Sequence, residues 1–79
     1  MSDLEFRTQL LDRVEKLVKK ARLAGLDERA EARAAKLVEA AGSKDWKSAQ
    51  RQLSKLSAGY PKLFPSWTID AARRASEIR

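Results

Sequence analysis

The side chains that most often move protons or attack carbonyl carbons are missing here: the chain has no histidine and no cysteine. Without them the usual proton shuttle, the strongest nucleophile and any thiolate metal site are gone. Serines occur near helix ends with no obvious base beside them. The three glycines stand apart, so no glycine-rich phosphate loop is present. Asp27, Glu28 and Glu31 can meet on one helical turn. They read as helix-start acids beside Arg29 and Arg33, not as an acid–base pair. A metal would have to be a hard, oxygen-bound cation, and no EF-hand loop is present. The chain is therefore read as non-enzymatic, with no catalytic residues, no metal, no cofactor and no small-molecule substrate.

Binding chemistry is better represented. Seventeen Lys and Arg against eleven Asp and Glu give a net charge of +6. The excess is uneven: residues 1–42 hold nine bases and eight acids, residues 43–79 eight bases and three acids. A basic half suits an anionic partner. Within it, Lys44, Lys47, Arg51 and Lys55 form a line along one side of a helix, and such a line can follow phosphates. Arg73 and Arg74 extend the set. No exposed aromatic is interleaved with the line, as single-strand binding would prefer, and no recognised nucleic-acid motif occurs. A second, apolar candidate surface comprises Tyr60, Phe64 and Trp67, since aromatic residues dominate binding hot spots.

Four helices must position these residues. The first runs roughly over 4–23, with Phe6, Leu10, Val14, Leu17, Val18 and Ala21 in one stripe. Gly25 ends it in a left-handed conformation. Asp27 caps the second helix, roughly 28–41, whose inner stripe is Ala30, Ala34, Leu37, Val38 and Ala41. Gly42 then serves as a stop and Ser43 as a cap. The third helix, roughly 44–57, puts Trp46, Ala49, Leu53 and Leu56 on one face and the basic line on the other. Ala58 to Pro65 is a connector with three large apolar residues, expected to pack onto the bundle. Ser66 caps the last helix, roughly 67–78, with Trp67, Ala71, Ala75 and Ile78 as its stripe. That stripe would put Trp67 in the core and Arg73, Arg74 and Arg79 near the favourable C-terminal end of the helix dipole. Short links between helices force antiparallel neighbours. The fold class is all-α, a small antiparallel bundle in a single domain, 1–79.

The acidic start, Met1-Ser2-Asp3-Leu4-Glu5-Phe6, does not read as a secretory signal, and its two acids argue against a mitochondrial presequence. The longest apolar runs fall far short of the ~20 residues that span a bilayer. A cytoplasmic location is expected.

Two local patterns resemble known families. Asp45-Trp46-Lys47-Ser48-Ala49 with Leu53, Leu56 and Pro61 is similar to the second helix of a tetratricopeptide unit. Lys36 and Leu37 fall where such repeats carry small and aromatic residues, and there is no second copy. The other pattern is Arg33-Ala34-Ala35-Lys36-Leu37-Val38, a short break, Trp46, Ala49, Leu56 and Trp67, then Arg73-Arg74. It resembles the helical domain of the steroid receptor RNA activator protein, shared with the C-terminal end of the COPII outer-coat scaffold subunit. Val14, Leu17, Leu26 and Asp27 extend the likeness, which covers about residues 10–75. The chain departs from it at Tyr60-Pro61 and Phe64-Pro65 and in its ending at Ala75 and Ile78. The resemblance implies an antiparallel helical bundle used for protein interaction, with RNA association in one branch and coat assembly in the other. Trp46, Ala49, Leu56 and Trp67 would then be framework positions.

Together these readings point to a protein-interaction or scaffold module whose partner is another protein. The alternative is a nucleic-acid-binding accessory protein that uses the basic C-terminal half.

Overall fold

A computed structural model describes residues 3–77; Ile78 and Arg79, placed by the sequence at the end of the last helix, lie outside the described residues. Four α-helices follow one another: α1 Asp3–Ala24, α2 Glu28–Gly42, α3 Trp46–Gly59 and α4 Ser66–Glu77. The described residues include no strand, and 84% of them are helical. The bundle measures 35 × 20 × 18 Å, its long axis set by α1, since 22 residues span about 33 Å.

The helix ends have identifiable causes. Acids sit in the first turn of α1 (Asp3, Glu5) and Arg22 in its last, each matched to the helix dipole. Gly25 stops α1 with φ +103°, its N–H donating to the carbonyls of Ala21 and Arg22. Two residues later, Asp27 is extended and accepts the Ala30 N–H at 2.8 Å, capping α2.

The junction of α2 and α3 differs from the expected one. Gly42 is still helical, and the left-handed residue is Lys44, φ +63°. The Asp45 N–H donates to the Ala40 carbonyl and the Lys44 N–H to that of Ala41. These two bonds make a Schellman motif with lysine where glycine is usual. Asp45 then caps α3, accepting from the Ser48 N–H at 3.2 Å and its hydroxyl at 2.7 Å. Ser43 is therefore the C-cap of α2 and not the N-cap of α3, a place taken by Asp45.

α1 packs on α2 and α4, and α3 packs on α2 and α4, so the backbones close a ring with no diagonal approach. The α2/α3 and α3/α4 interfaces are broad; the α1/α4 interface is narrow. The stripes of the first three helices point inward: Leu10, Val14, Val18 and Ala21; Ala30, Ala34, Leu37 and Ala41; Trp46, Ala49, Leu53 and Leu56 are all buried. Phe6, Leu17 and Val38 are half-buried at their edges. Alanine supplies seven of the fifteen buried apolar residues, which lets helices approach closely while keeping the highest helix propensity.

The last helix is rotated from the expected face. Its buried line is Phe64, Thr68, Ala72 and Ala75, with Ala71 half-buried and Trp67 46% exposed. The cause lies in the connector, where the Phe64 N–H bonds to the Tyr60 carbonyl and folds a turn that drives the Phe64 ring fully into the core. Thr68, one turn on, can follow it inward because its hydroxyl donates to the Pro65 carbonyl at 2.6 Å. Ser66 is the first helical residue, not the cap. The connector does pack onto the bundle as its apolar content predicts, with Leu63 and Tyr60 half-buried.

Candidate functional site

The basic face of α3 is present in part. Lys47, Arg51 and Lys55 recur every four residues and are all exposed. Lys44 is exposed too, but it sits in the α2–α3 turn and not on the helix. There it lines a small depression with Leu4, Arg7 and Trp46. The two arginines of α4 do not join the line. Arg73 is held by Asp70 at 3.2 Å, and Arg74 turns toward α1, its guanidinium 4.7 Å from the centre of the Phe6 ring.

The apolar candidates also separate. Phe64 is fully buried and belongs to the core, so it has no surface to offer a partner. Tyr60 is half-buried, with its hydroxyl engaged by Asp27. Trp67 alone presents a large aromatic surface outward.

Trp67 stands on the seam between α1 and α4, and what surrounds it gives the seam its chemistry. The Arg13 guanidinium lies over the indole, 5.8 Å from its centre. The two arginine–aromatic pairs are therefore reciprocal: α1 lends Arg13 to Trp67 of α4, and α4 lends Arg74 to Phe6 of α1. Each helix carries the same unit, an aromatic followed seven residues later by arginine, Phe6 to Arg13 and Trp67 to Arg74. Seven residues are two helical turns, so both members share a face. Antiparallel docking then brings each aromatic beside the other helix's arginine. Arg7 adds a third crossing, donating to the Ala75 carbonyl at 3.2 Å.

Two adjoining depressions share Trp67 and Arg13 as a common wall. One, of about 450 Å³, lies between α1 and α4 over Phe6, Leu10 and Ala71, with Asp3, Gln9 and Arg74 at its rim. The other, of about 300 Å³, runs on along α1 past Lys16, Leu17 and Lys20. Together they make a groove with an apolar floor. Four cations stand along its edges, Arg13, Lys16, Lys20 and Arg74, against one lining carboxylate, Asp3. Lys16 is partly neutralised by Asp12 at 2.9 Å, one turn away on α1.

No acid–base or nucleophilic set gathers in the lining of the groove. Asp27 and Asp45 are helix caps outside it. The Ala30 N–H, then the Tyr60 hydroxyl, hold Asp27 below the usual aspartate range. The Ser48 hydroxyl and N–H do the same for Asp45. Among the described residues no group of carboxylates is arranged to hold a metal ion. Among the described residues no helix is long and apolar enough to cross a membrane.

Reading one helix at a time separates Trp67 from Arg13 and Phe6, and so misses the groove. The signal was the repeated aromatic–arginine spacing of seven, which has meaning only when two antiparallel helices carry it. Comparison of the chain with protein-family models, with curated proteins and with solved structures returns no match.

Proposed function

We propose that this chain is a non-enzymatic, cytoplasmic protein-interaction module that docks its partner along the α1/α4 seam around Trp67. The observation that carries this reading is Trp67 itself. A tryptophan 46% exposed between two apolar-floored depressions is an unusual use of the most costly side chain to leave wet. It is also the residue type most often found at the energetic centre of an interface. Exposed Leu4 and Leu23, at the two ends of α1, border separate depressions, Leu4 with Trp46 and Leu23 with Val18 and Val38, and neither adds an exposed aromatic. The resemblance to the coregulator and vesicle-coat helical domain supports the same class, a scaffold that works by binding.

Affinity purification with the whole chain as bait, with and without nuclease, tests the reading. The expected result is a protein partner retained after nuclease and lost with Trp67→Ala. Retention that nuclease abolishes, or that ignores Trp67, defeats it.

That defeat would favour the nucleic-acid alternative, which rests on the exposed Lys47, Arg51 and Lys55. A polyanion held there should release counterions, so binding should fall steeply with salt and drop further with Lys47→Glu/Arg51→Glu.

A further inference from the structure

Resting on the docking reading above, we infer that the seam takes an acidic amphipathic helix carrying two carboxylates seven residues apart, with an apolar residue between them. The two reciprocal arginine–aromatic pairs set this spacing. Arg74 lies at the level of Phe6, and Arg13 at the level of Trp67. Phe6 and Trp67's neighbour Arg13 are seven residues apart on α1, a backbone rise of about 10.5 Å, so the two arginine–aromatic pairs lie two helical turns apart along the groove. A guanidinium lying over a ring keeps its edge N–H groups free for a carboxylate.

A helix laid parallel to α1 repeats at the same pitch. Acids seven residues apart on it meet both arginines, and a side chain three or four residues from each falls on Leu10 and Ala71. An extended peptide does not fit this ladder. Three residues of strand cover the same distance, but residues three apart point to opposite faces. A single-stranded nucleic acid is disfavoured because a guanidinium already covers a face of each ring on which a base would stack. A second copy of this chain is disfavoured by its charge of +6. The edge cations outnumber the lining carboxylate, so an acidic partner is complementary to the groove.

The test is fluorescence anisotropy with labelled peptides of ~16 residues, long enough to be helical. The first carries glutamates seven apart with leucine between them. The second has the same composition with one glutamate moved to the opposite face. The third has lysine for both glutamates, and an oligouridylate serves as the fourth probe. Tighter binding of the first peptide is expected, weakened roughly tenfold or more by Arg13→Glu, by Arg74→Glu and by Trp67→Ala. Lys36→Glu, the same charge change on a distant exposed site, should leave it unaltered. Circular dichroism confirms that each variant is folded. Equal binding of the first and second peptides, or of the lysine peptide, overturns the inference; if Trp67→Ala still abolishes that binding, docking at the seam survives. Binding of oligouridylate alone, with no peptide bound, removes both.

Discussion

The Tyr60 hydroxyl donates to Oδ2 of Asp27 at 2.9 Å, and the backbone N–H of Asp27 donates back to the same hydroxyl oxygen at 3.4 Å. The pair is 33 residues apart in sequence. It ties the α1–α2 turn to the α3–α4 connector at one end of the bundle. Asp27 also caps α2, so one carboxylate sets a helix start and anchors a loop. Tyr60→Phe keeps the ring and removes the bond. The melting temperature should fall by a few degrees with an unchanged helical spectrum; an unaltered melt would show that this bond adds nothing to the packing of the connector.

Asp27 and Asp45 are both held below the ordinary aspartate value of 3.8 by hydrogen bonds to the ionised form. A depressed carboxylate favours the folded state above its unfolded pKa. That contribution disappears as pH falls through the folded value. Melting temperature should therefore drop as pH is lowered from about 5 toward 2, and less so in Asp27→Asn/Asp45→Asn, whose amide caps do not titrate. Parallel losses in wild type and double variant would assign the acid sensitivity to other groups.

The orientation of α4 can be read from two aromatic truncations. Phe64→Ala removes a fully buried ring and should cost about 3–5 kcal/mol. Trp67→Ala removes a half-exposed one and should cost under about 1 kcal/mol. Denaturant titration of both variants decides the matter, and a reversed order would restore Trp67 to the core.

Leu53 is fully buried at the centre of the α3 stripe. Leu53→Ala should cost about 2–5 kcal/mol, a large part of the stability of so small a domain. A thermal shift of only a degree or two would mean that α3 faces the other way.

Lys44 bears the left-handed conformation at the Schellman turn, φ +63°, where a side chain costs roughly 1 kcal/mol relative to glycine. Glycine has no such torsional cost, so Lys44→Gly should raise stability by a few tenths to about 1 kcal/mol. A destabilised Lys44→Gly would imply that the lysine side chain makes a compensating contact.

The first three helices were legible because each has one apolar stripe that continues over several turns; Leu4 and Leu23 of α1 fall off that stripe and are exposed. The last was not, since tryptophan outweighs threonine in any apolar pattern. Burial of Thr68 depends on a bond to the Pro65 carbonyl that spacing alone does not reveal. The α2–α3 boundary was misplaced for a similar reason: Gly42 is the obvious stop, yet the chain turns at Lys44. Of the candidate site, Trp67 and Arg74 were visible as residues. Their partners Phe6 and Arg13 were not, because their significance lies in the pairing of the first helix with the last.

That pairing also has a consequence for the order of events in folding. The broad α2/α3 and α3/α4 interfaces join helices adjacent in the chain, whereas Arg7 reaches the Ala75 carbonyl across 68 residues. Closing that loop costs the most chain entropy for the least contact. The seam should therefore zip last and part first, with amide hydrogens along it exchanging sooner than those of α2 and α3. A ligand lying along it would bridge the two extremities of the polypeptide and act as a removable clasp on the whole bundle.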